Sequence, residues 1–387
     1  MKNILDSARL LKNWSIEIRR SLHQNPELSL EEKQTSLYCS NLLRELGYEV
    51  RSSWGYGFTA DLTINPSFKT IALRADMDAL PIQEKNTHEF VSKNKGVAHM
   101  CGHDSHMTIA LTTAKLLKEI GPNLPVNLRF LFQPSEEKIP GGAKGMIDAG
   151  CLDGVDEVYG LHNDPGTEVG KIKMRNGPMM ASGDRFDLTI FGKGGHAAKP
   201  QDGLNPILPA TQLINQWQAI ISQRINPVHP AVLNVTQINS GDTFNVVPDY
   251  LSLAGTVRTF YLEDRELIHK LMHSSLEMLK FQGYDFEFNY LRGYDPVVNH
   301  KIGVQRVEKA ATAIIEKHNI DIHCDPIGLA EDFGYYLQHR PGAIFILGSG
   351  NSSKGITHPL HSSQFDIDEE TLVWGAAIMS QLVLEYQ

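Results

Sequence analysis

Four short runs, "TIALRA" at 70–75, "VNLRFLF" at 126–132, "EVYGLH" at 157–162 and "AIFILG" at 343–348, are apolar along most of their length instead of alternating. Runs of this kind are strands buried on both faces. Helical stretches such as "SHMTIALTTAKLLKEIG" lie between them. The combination predicts an α/β fold with a central mixed sheet covered by helices. Upstream, "LLKNWSIEIRRSLH" and "SLEEKQTSLYCSNLLRELG" read as two helices; Ser29 with Glu32 three residues later has capping-box spacing for the second, and Gly47 ends it. Three of the apolar runs lead straight into polar clusters: Asp76 and Asp78, then Gln133 to Glu137, then His162 to Asp164. In open α/β sheets ligands bind beyond the carboxyl ends of the strands, so these clusters are expected to converge.

From about Met180 to Arg292 the rhythm becomes βαββαβ, the ferredoxin-like order, and the α/β pattern then resumes. The chain has 387 residues, beyond the size at which one hydrophobic core keeps growing. A discontinuous first domain over 1–179 and 293–387, interrupted by a second over 180–292, is the expectation. With 36 basic against 45 acidic residues and no run of Lys and Arg, nothing in the chain suits a nucleic-acid backbone. The start "MKNILDSARLLKNW" lacks the apolar core of a signal peptide, and no stretch reaches the roughly 18 apolar residues of a membrane span. The four cysteines, Cys39, Cys101, Cys151 and Cys324, are too scattered for a disulfide framework. A cytoplasmic protein with reduced thiols is expected.

The stretch "HMCGHDSHM", His99 to Met107, gathers metal-seeking side chains just before a helix. Cys101 and His103 flank Gly102, and a thiolate and an imidazole so spaced can reach one ion. A cysteine nucleophile with His103 or His106 as its base is the competing reading, and a helix start with no chemistry is the third. Glu136 and Glu137 follow the second strand directly. Consecutive residues in a turn point different ways, so one can ligate a metal while the other carries a proton. His162 and His361 stand in comparable loop positions. With the cysteine, a glutamate and three histidines near strand ends, two divalent ions could be held. In the inserted segment, His196 in "GKGGHAAKP" and Asn245 in "DTFNVVPD" could donate to an oxyanion, and Arg258 in "GTVRTF" could grip a carboxylate. A hairpin turn and a surface charge are the plainer readings of the same residues.

Taken in order along nearly the whole chain, "RRSLHQNPELSLEE", "LRADMDALPIQE", "HMCGHDSHM", "FQPSEEKIPGGAKGMIDAG", "GLHNDPG", "GKGGHAAKP", "DTFNVVPD", "GTVRTF", "AEDFGYYL" and "HPLHSSQFDIDE" resemble the dinuclear metallohydrolases that include aminoacylases, carboxypeptidase- and dipeptidase-type enzymes and succinyl-diaminopimelate desuccinylase. The branch of hippurate hydrolase, N-acyl-amino-acid amidohydrolases and plant auxin-conjugate hydrolases is the most similar. The resemblance implies that Cys101, in the bridging position, His103, Glu137, His162 and His361 are metal ligands, that Glu136 is the general acid/base, and that Asp78 orients a ligand. It further implies that the inserted domain is a lid and dimerisation domain whose His196 reaches the partner subunit's site, in a homodimer or dimer of dimers. Asp76-Met77-Asp78 replaces the wider family's His-x-Asp, and Cys101 its bridging aspartate, as in the amidohydrolase branch. Gln201 and Asn205 stand where His and Asp are common in that branch.

The function so implied is hydrolysis of the amide of an N-acyl amino acid, N-acetyl, N-benzoyl or similar. Two divalent ions per subunit, zinc, manganese, cobalt or nickel, would be the cofactors, with Glu136 as proton carrier. His196 and Asn245 would steady the oxyanion and Arg258 the α-carboxylate. A dipeptidase or carboxypeptidase of the same family, a cysteine amidase using Cys101, and a metal-containing binding protein without turnover are the alternatives.

Overall fold

The computed structural model describes residues 4–386. The chain divides into two compact units. The first runs to Met179 and resumes over Val298–Asp325 and from Asp332 onward; the second comprises Met180–Val297 with the short return segment Pro326–Glu331.

The first unit is built on an eight-stranded mixed sheet. From one edge its strands are Glu49–Ser52, Phe58–Leu62, Asn127–Gln133, Thr70–Asp76, Glu157–Glu168, Gly342–Gly350, Ile172–Lys173 and Ile320–Asp321. The four central strands, those carrying the apolar runs, are mutually parallel, with Arg74 opposite Leu131 and Asp76 opposite Gln133. Leu73, Phe130, Tyr159 and Phe345 are all buried in this layer, as expected of strands covered on both faces. Helix His103–Ile120 is buried along nearly its whole length and packs against helix Glu370–Leu384 and the sheet. Parallel strands place their carboxyl ends on one side, so Asp76, Gln133 and the segment after Leu161 emerge together.

Helix Lys33–Glu45 ends as the sequence suggests. Gly47 takes a φ of 81°, and Tyr48 N–H bonds to Leu43 O at 2.9 Å while Gly47 N–H bonds to Arg44 O at 2.9 Å, a Schellman closure. Its start differs from the capping-box expectation. Glu32 is the N-cap residue but makes no side-chain cap bond. Glu27 does the capping, its carboxylate accepting from Gln34 N–H at 3.1 Å and Thr35 N–H at 2.8 Å. Ser29 and Glu32 turn inward instead.

The second unit contains a four-stranded antiparallel sheet in the order Ala231–Asn239, Tyr250–Thr259, Asp184–Phe191, Asp285–Leu291. Helices Ile207–Arg224 and Leu262–Ser275 join its strands in βαββαβ order, which is the ferredoxin-like arrangement. Trp217, Leu213, Ile268 and Met272 fill its core against Phe186, Leu188 and Leu253. No described helix of the chain is long and apolar enough to cross a membrane.

Candidate metal centre

Two strand ends are tied together by one carboxylate. Asp78 follows the Thr70–Asp76 strand, and its Oδ1 and Oδ2 accept from the backbone N–H groups of Glu136 and Glu137, each at 2.9 Å. Ser29 Oγ donates to the same carboxylate at 2.6 Å. Just before the two glutamates, Ser135 sits in the left-handed region with a φ of 57°. The turn lies against backbone so closely that a Cβ on Gly142 would approach Pro134 O to 1.8 Å, so only glycine fits there.

The imidazoles are oriented by their far nitrogens. His103 opens its helix after Gly102, whose φ of 88° suits glycine. Its Nδ1 lies 2.8 Å from Asp78 O, which directs Nε2 into the site, where that atom is buried with no hydrogen-bond partner. His162 Nδ1 lies 2.8 Å from Asn163 O, leaving Nε2 at 3.4 Å from Cys101 Sγ. An Nδ1–H given to a carbonyl leaves the Nε2 lone pair free for a metal. His361, at a φ of 64°, is anchored by its N–H on Met100 O at 2.8 Å, and its Nε2 lies 3.3 Å from Glu137 Oε1. Glu137 Oε1 is likewise buried without a hydrogen-bond donor.

Ligand atoms of Cys101, His103 and His162 lie within 4.8 Å of one another, as do those of Cys101, Glu137 and His361, and those of His103, Glu136 and Glu137. Cys101 belongs to two of these groups whose other members differ, so its sulfur stands between them.

The electrostatics ask for a cation. Burial and the charges of Glu137 and Glu136 push the Cys101 thiol well above its ordinary value. A reactive cysteine needs a lowered pKa, whereas burial and the two carboxylates raise this one. Burial alone would lower the pKa of His103, but Asp76, Asp78 and Glu137 outweigh it and raise it to about 10. Burial and the neighbouring His106 lower that of His162 to about 3, so it is a neutral imidazole at physiological pH. A thiol, carboxylates, a neutral imidazole and two orphaned buried atoms, His103 Nε2 and Glu137 Oε1, make a donor set that divalent ions fit.

The model of peptidase family M20/M25/M40 matches residues 72–385, which spans every residue of this cluster. The chain belongs to that family. An N-acyl-L-amino acid amidohydrolase of Geobacillus stearothermophilus is 41% identical over 79% of this chain and 82% of its own length. The thermostable carboxypeptidase 2 of Saccharolobus solfataricus is 36% identical over 100% of this chain and 98% of its own. Among solved structures, a dinuclear metal-binding peptidase of the M20 family from Bacillus subtilis superposes with a TM-score of 0.83 at 32% identity, covering 97% of this chain and 98% of that one. The M20 chain is therefore a metal-dependent hydrolase of the amidohydrolase and peptidase class.

Of the ten side chains singled out in the sequence, seven gather in the first unit of this M20 chain: Asp78, Cys101, His103, Glu136, Glu137, His162 and His361. The other three belong to the second unit. His196 and Asn245 share a small antiparallel ribbon in which Val246 pairs with His196 and Ala197 N–H bonds to Asn245 O at 3.0 Å. Both are exposed. Ala198 N–H bonds to His196 Nδ1 at 3.1 Å, which puts the ring proton on Nε2 and makes that atom a donor. Arg258 lies apart on the Tyr250–Thr259 strand, half-buried, with Nη1 against Val257 O at 3.1 Å and against Thr256 Oγ1.

Two further side chains brace the site: His106, considered in the sequence as a base for Cys101, and Arg74, which the sequence reading did not single out. His106 Nδ1 donates to Asp76 Oδ1 at 2.7 Å, and its Nε2 accepts from Asn163 N–H at 3.1 Å, so it links two strand ends. Arg74 braces the site from beneath, reaching Asp76 at 2.5 Å and Asp332 at 3.0 Å. Its position inside an apolar run was the available signal, because an arginine buried in a strand must have carboxylate partners.

Proposed function

We propose that this chain hydrolyses the amide between an acyl group and an amino acid, releasing a carboxylate and the free amino acid. The observation that carries this reading is the pair of consecutive glutamates clipped by Asp78. Glu137 Oε1 lies 3.3 Å from His361 Nε2 and 3.9 Å from His103 Nε2, and Glu136 Oε2 lies 4.0 Å from the same His103 nitrogen, so both carboxylates face the ligand atoms. Cys101, His103, Glu137, His162 and His361 would hold two divalent ions, whose chemistry would be to lower the pKa of water to about 7 and to polarise the scissile carbonyl. The donor set suits zinc, manganese, cobalt or nickel.

Glu136 takes the proton of the attacking water on its carboxylate and delivers it to the leaving amine nitrogen. His196 Nε2–H and the Asn245 amide donate to the oxyanion as it develops. Arg258 pairs with the α-carboxylate of the amino-acid half. His196 acts on the partner subunit's site in a homodimer. Two features of the second unit support self-association: edge strand Ala231–Asn239 pairs on one side only among the described residues, and Val232, Ile238 and Leu208 are 50%, 53% and 64% exposed.

A carboxypeptidase or dipeptidase activity is the second reading, favoured by the likeness to a carboxypeptidase over the whole chain. The chemistry is shared, since a C-terminal peptide bond is also the amide of an acylated amino acid; only the acyl side differs. The test is a hydrolysis panel of N-acetyl, N-benzoyl and indole-acetyl amino acids and dipeptides on protein reconstituted with each metal, run beside Glu136→Gln. The variant is expected to bind the same quantity of metal and to turn over about two or more orders of magnitude more slowly. Near-wild-type turnover by Glu136→Gln would remove Glu136 as the proton carrier.

A further inference from the structure

The motif "NPELSLEE" contributes no residue to the cluster of ligand atoms, yet two of its side chains reach behind it. Glu32 is fully buried, and its Oε1 accepts from Ser135 N–H at 2.7 Å across 103 residues of sequence. Ser29 Oγ donates to Asp78, which receives the next two N–H groups of the same turn. Three consecutive amides, those of Ser135, Glu136 and Glu137, are therefore held by two carboxylates. Ser135 needs this most, because a left-handed φ of 57° is strained for a non-glycine residue. Glu32 is free for the task because Glu27 has taken over the helix cap.

We propose that Glu32 is a positioning residue: its bond to Ser135 N–H fixes the turn that carries both Glu136 and Glu137 to the cluster of ligand atoms. The inference rests on the hydrolase reading for its catalytic consequence, and on geometry alone for the hold on the turn. Burial pushes the Glu32 carboxyl up to about 7, and its part in the turn is that of an acceptor for Ser135 N–H. Glutamine keeps an acceptor oxygen there, whereas methionine keeps the length and loses the acceptor.

The experiment compares Glu32→Met with Glu32→Gln in the full chain by two readouts. One is amide hydrogen exchange of the 134–138 segment without added metal; the other is kcat and KM on the reconstituted enzyme. Glu32→Met is expected to speed exchange in that segment about tenfold or more with little change elsewhere, and to lower kcat at least tenfold with KM within about threefold. Glu32→Gln is expected to restore both to within about threefold of wild type. Unchanged exchange in Glu32→Met overturns the proposal, as does faster exchange with unaltered kcat, or equal damage from Glu32→Gln. If wild type hydrolyses no acylated amino acid or peptide, the functional reading falls instead, and the exchange readout still decides whether Glu32 holds the turn.

Discussion

Asp104 stands beside His103 in sequence, yet its carboxylate meets Arg19 Nε at 3.0 Å and His23 Nδ1 at 2.8 Å and belongs to none of the three clusters built around Cys101 and His103. His23 meets Glu84 with its other nitrogen, at 3.2 Å. Burial alone would lower the pKa of this imidazole, but the bonds to Asp104 and Glu84 outweigh burial and raise it from 6.5 to about 9. Between those values the folded chain binds a proton that the unfolded chain has lost. The stabilisation is complete below pH 6.5 and is lost as pH rises through 9, a difference of about 3 kcal/mol. We expect wild type to lose stability across this window in urea titrations more steeply than His23→Gln, which should start lower and keep only the slope that His103, also raised, contributes; parallel slopes for the two proteins would remove His23 as a source. Cys101, His103, Glu137, His162 and His361 stood out as ligand-type residues near strand ends or a helix start, and the family resemblance of their motifs picked them out as one set. The part of Glu32 was hidden, because its spacing from Ser29 offered a sufficient local explanation while its partner lies 103 residues away.

At the scale of elements, the start of helix His103–Ile120 is the critical joint. Gly102 separates Cys101 from His103 at a φ of 88°, and a Cβ there would lie 2.3 Å from Asn163 Oδ1. Asn163 is buried and cannot withdraw freely; its Oδ1 lies 2.9 Å from Ser105 Oγ, and its N–H is bonded to His106. Gly102→Ala therefore combines left-handed strain with overpacking, about 2–4 kcal/mol together. The helix must shift at its first turn, which carries His103. The expected outcome is a melting temperature lower by several degrees and affinity for manganese or zinc at least about tenfold weaker by calorimetric titration. Wild-type affinity in this variant would show that the joint does not set the geometry. The strands and helices themselves were legible because buried parallel strands read as continuous apolar runs. The helix cap was not, since Ser, Glu and Glu within one loop offer alternative caps and only tertiary packing selects Glu27.

For the whole molecule, the change of rhythm to βαββαβ was sufficient to foresee a ferredoxin-like unit within the α/β chain, because local periodicity and strand count carry that information. Periodicity cannot tell which subunit's His196 serves which site. Subunit mixing can. A two-fold dimer in which His196 acts in trans pairs each chain's Glu136 with the other chain's His196. Glu136→Gln and His196→Ala homodimers would each lack one essential group at both sites. In the mixed dimer one site would lack both groups and the other would be whole. Equal parts of the two variants, exchanged to equilibrium, should then recover about a quarter of wild-type activity, since half the dimers are mixed and each has one working site. Action in cis predicts no recovery at all, because every site keeps its own defect. Mass measurement of differently tagged chains establishes that mixed dimers have formed, so a silent mixture that contains them would remove the trans assignment of His196 while leaving the metal centre and Glu136 as they stand.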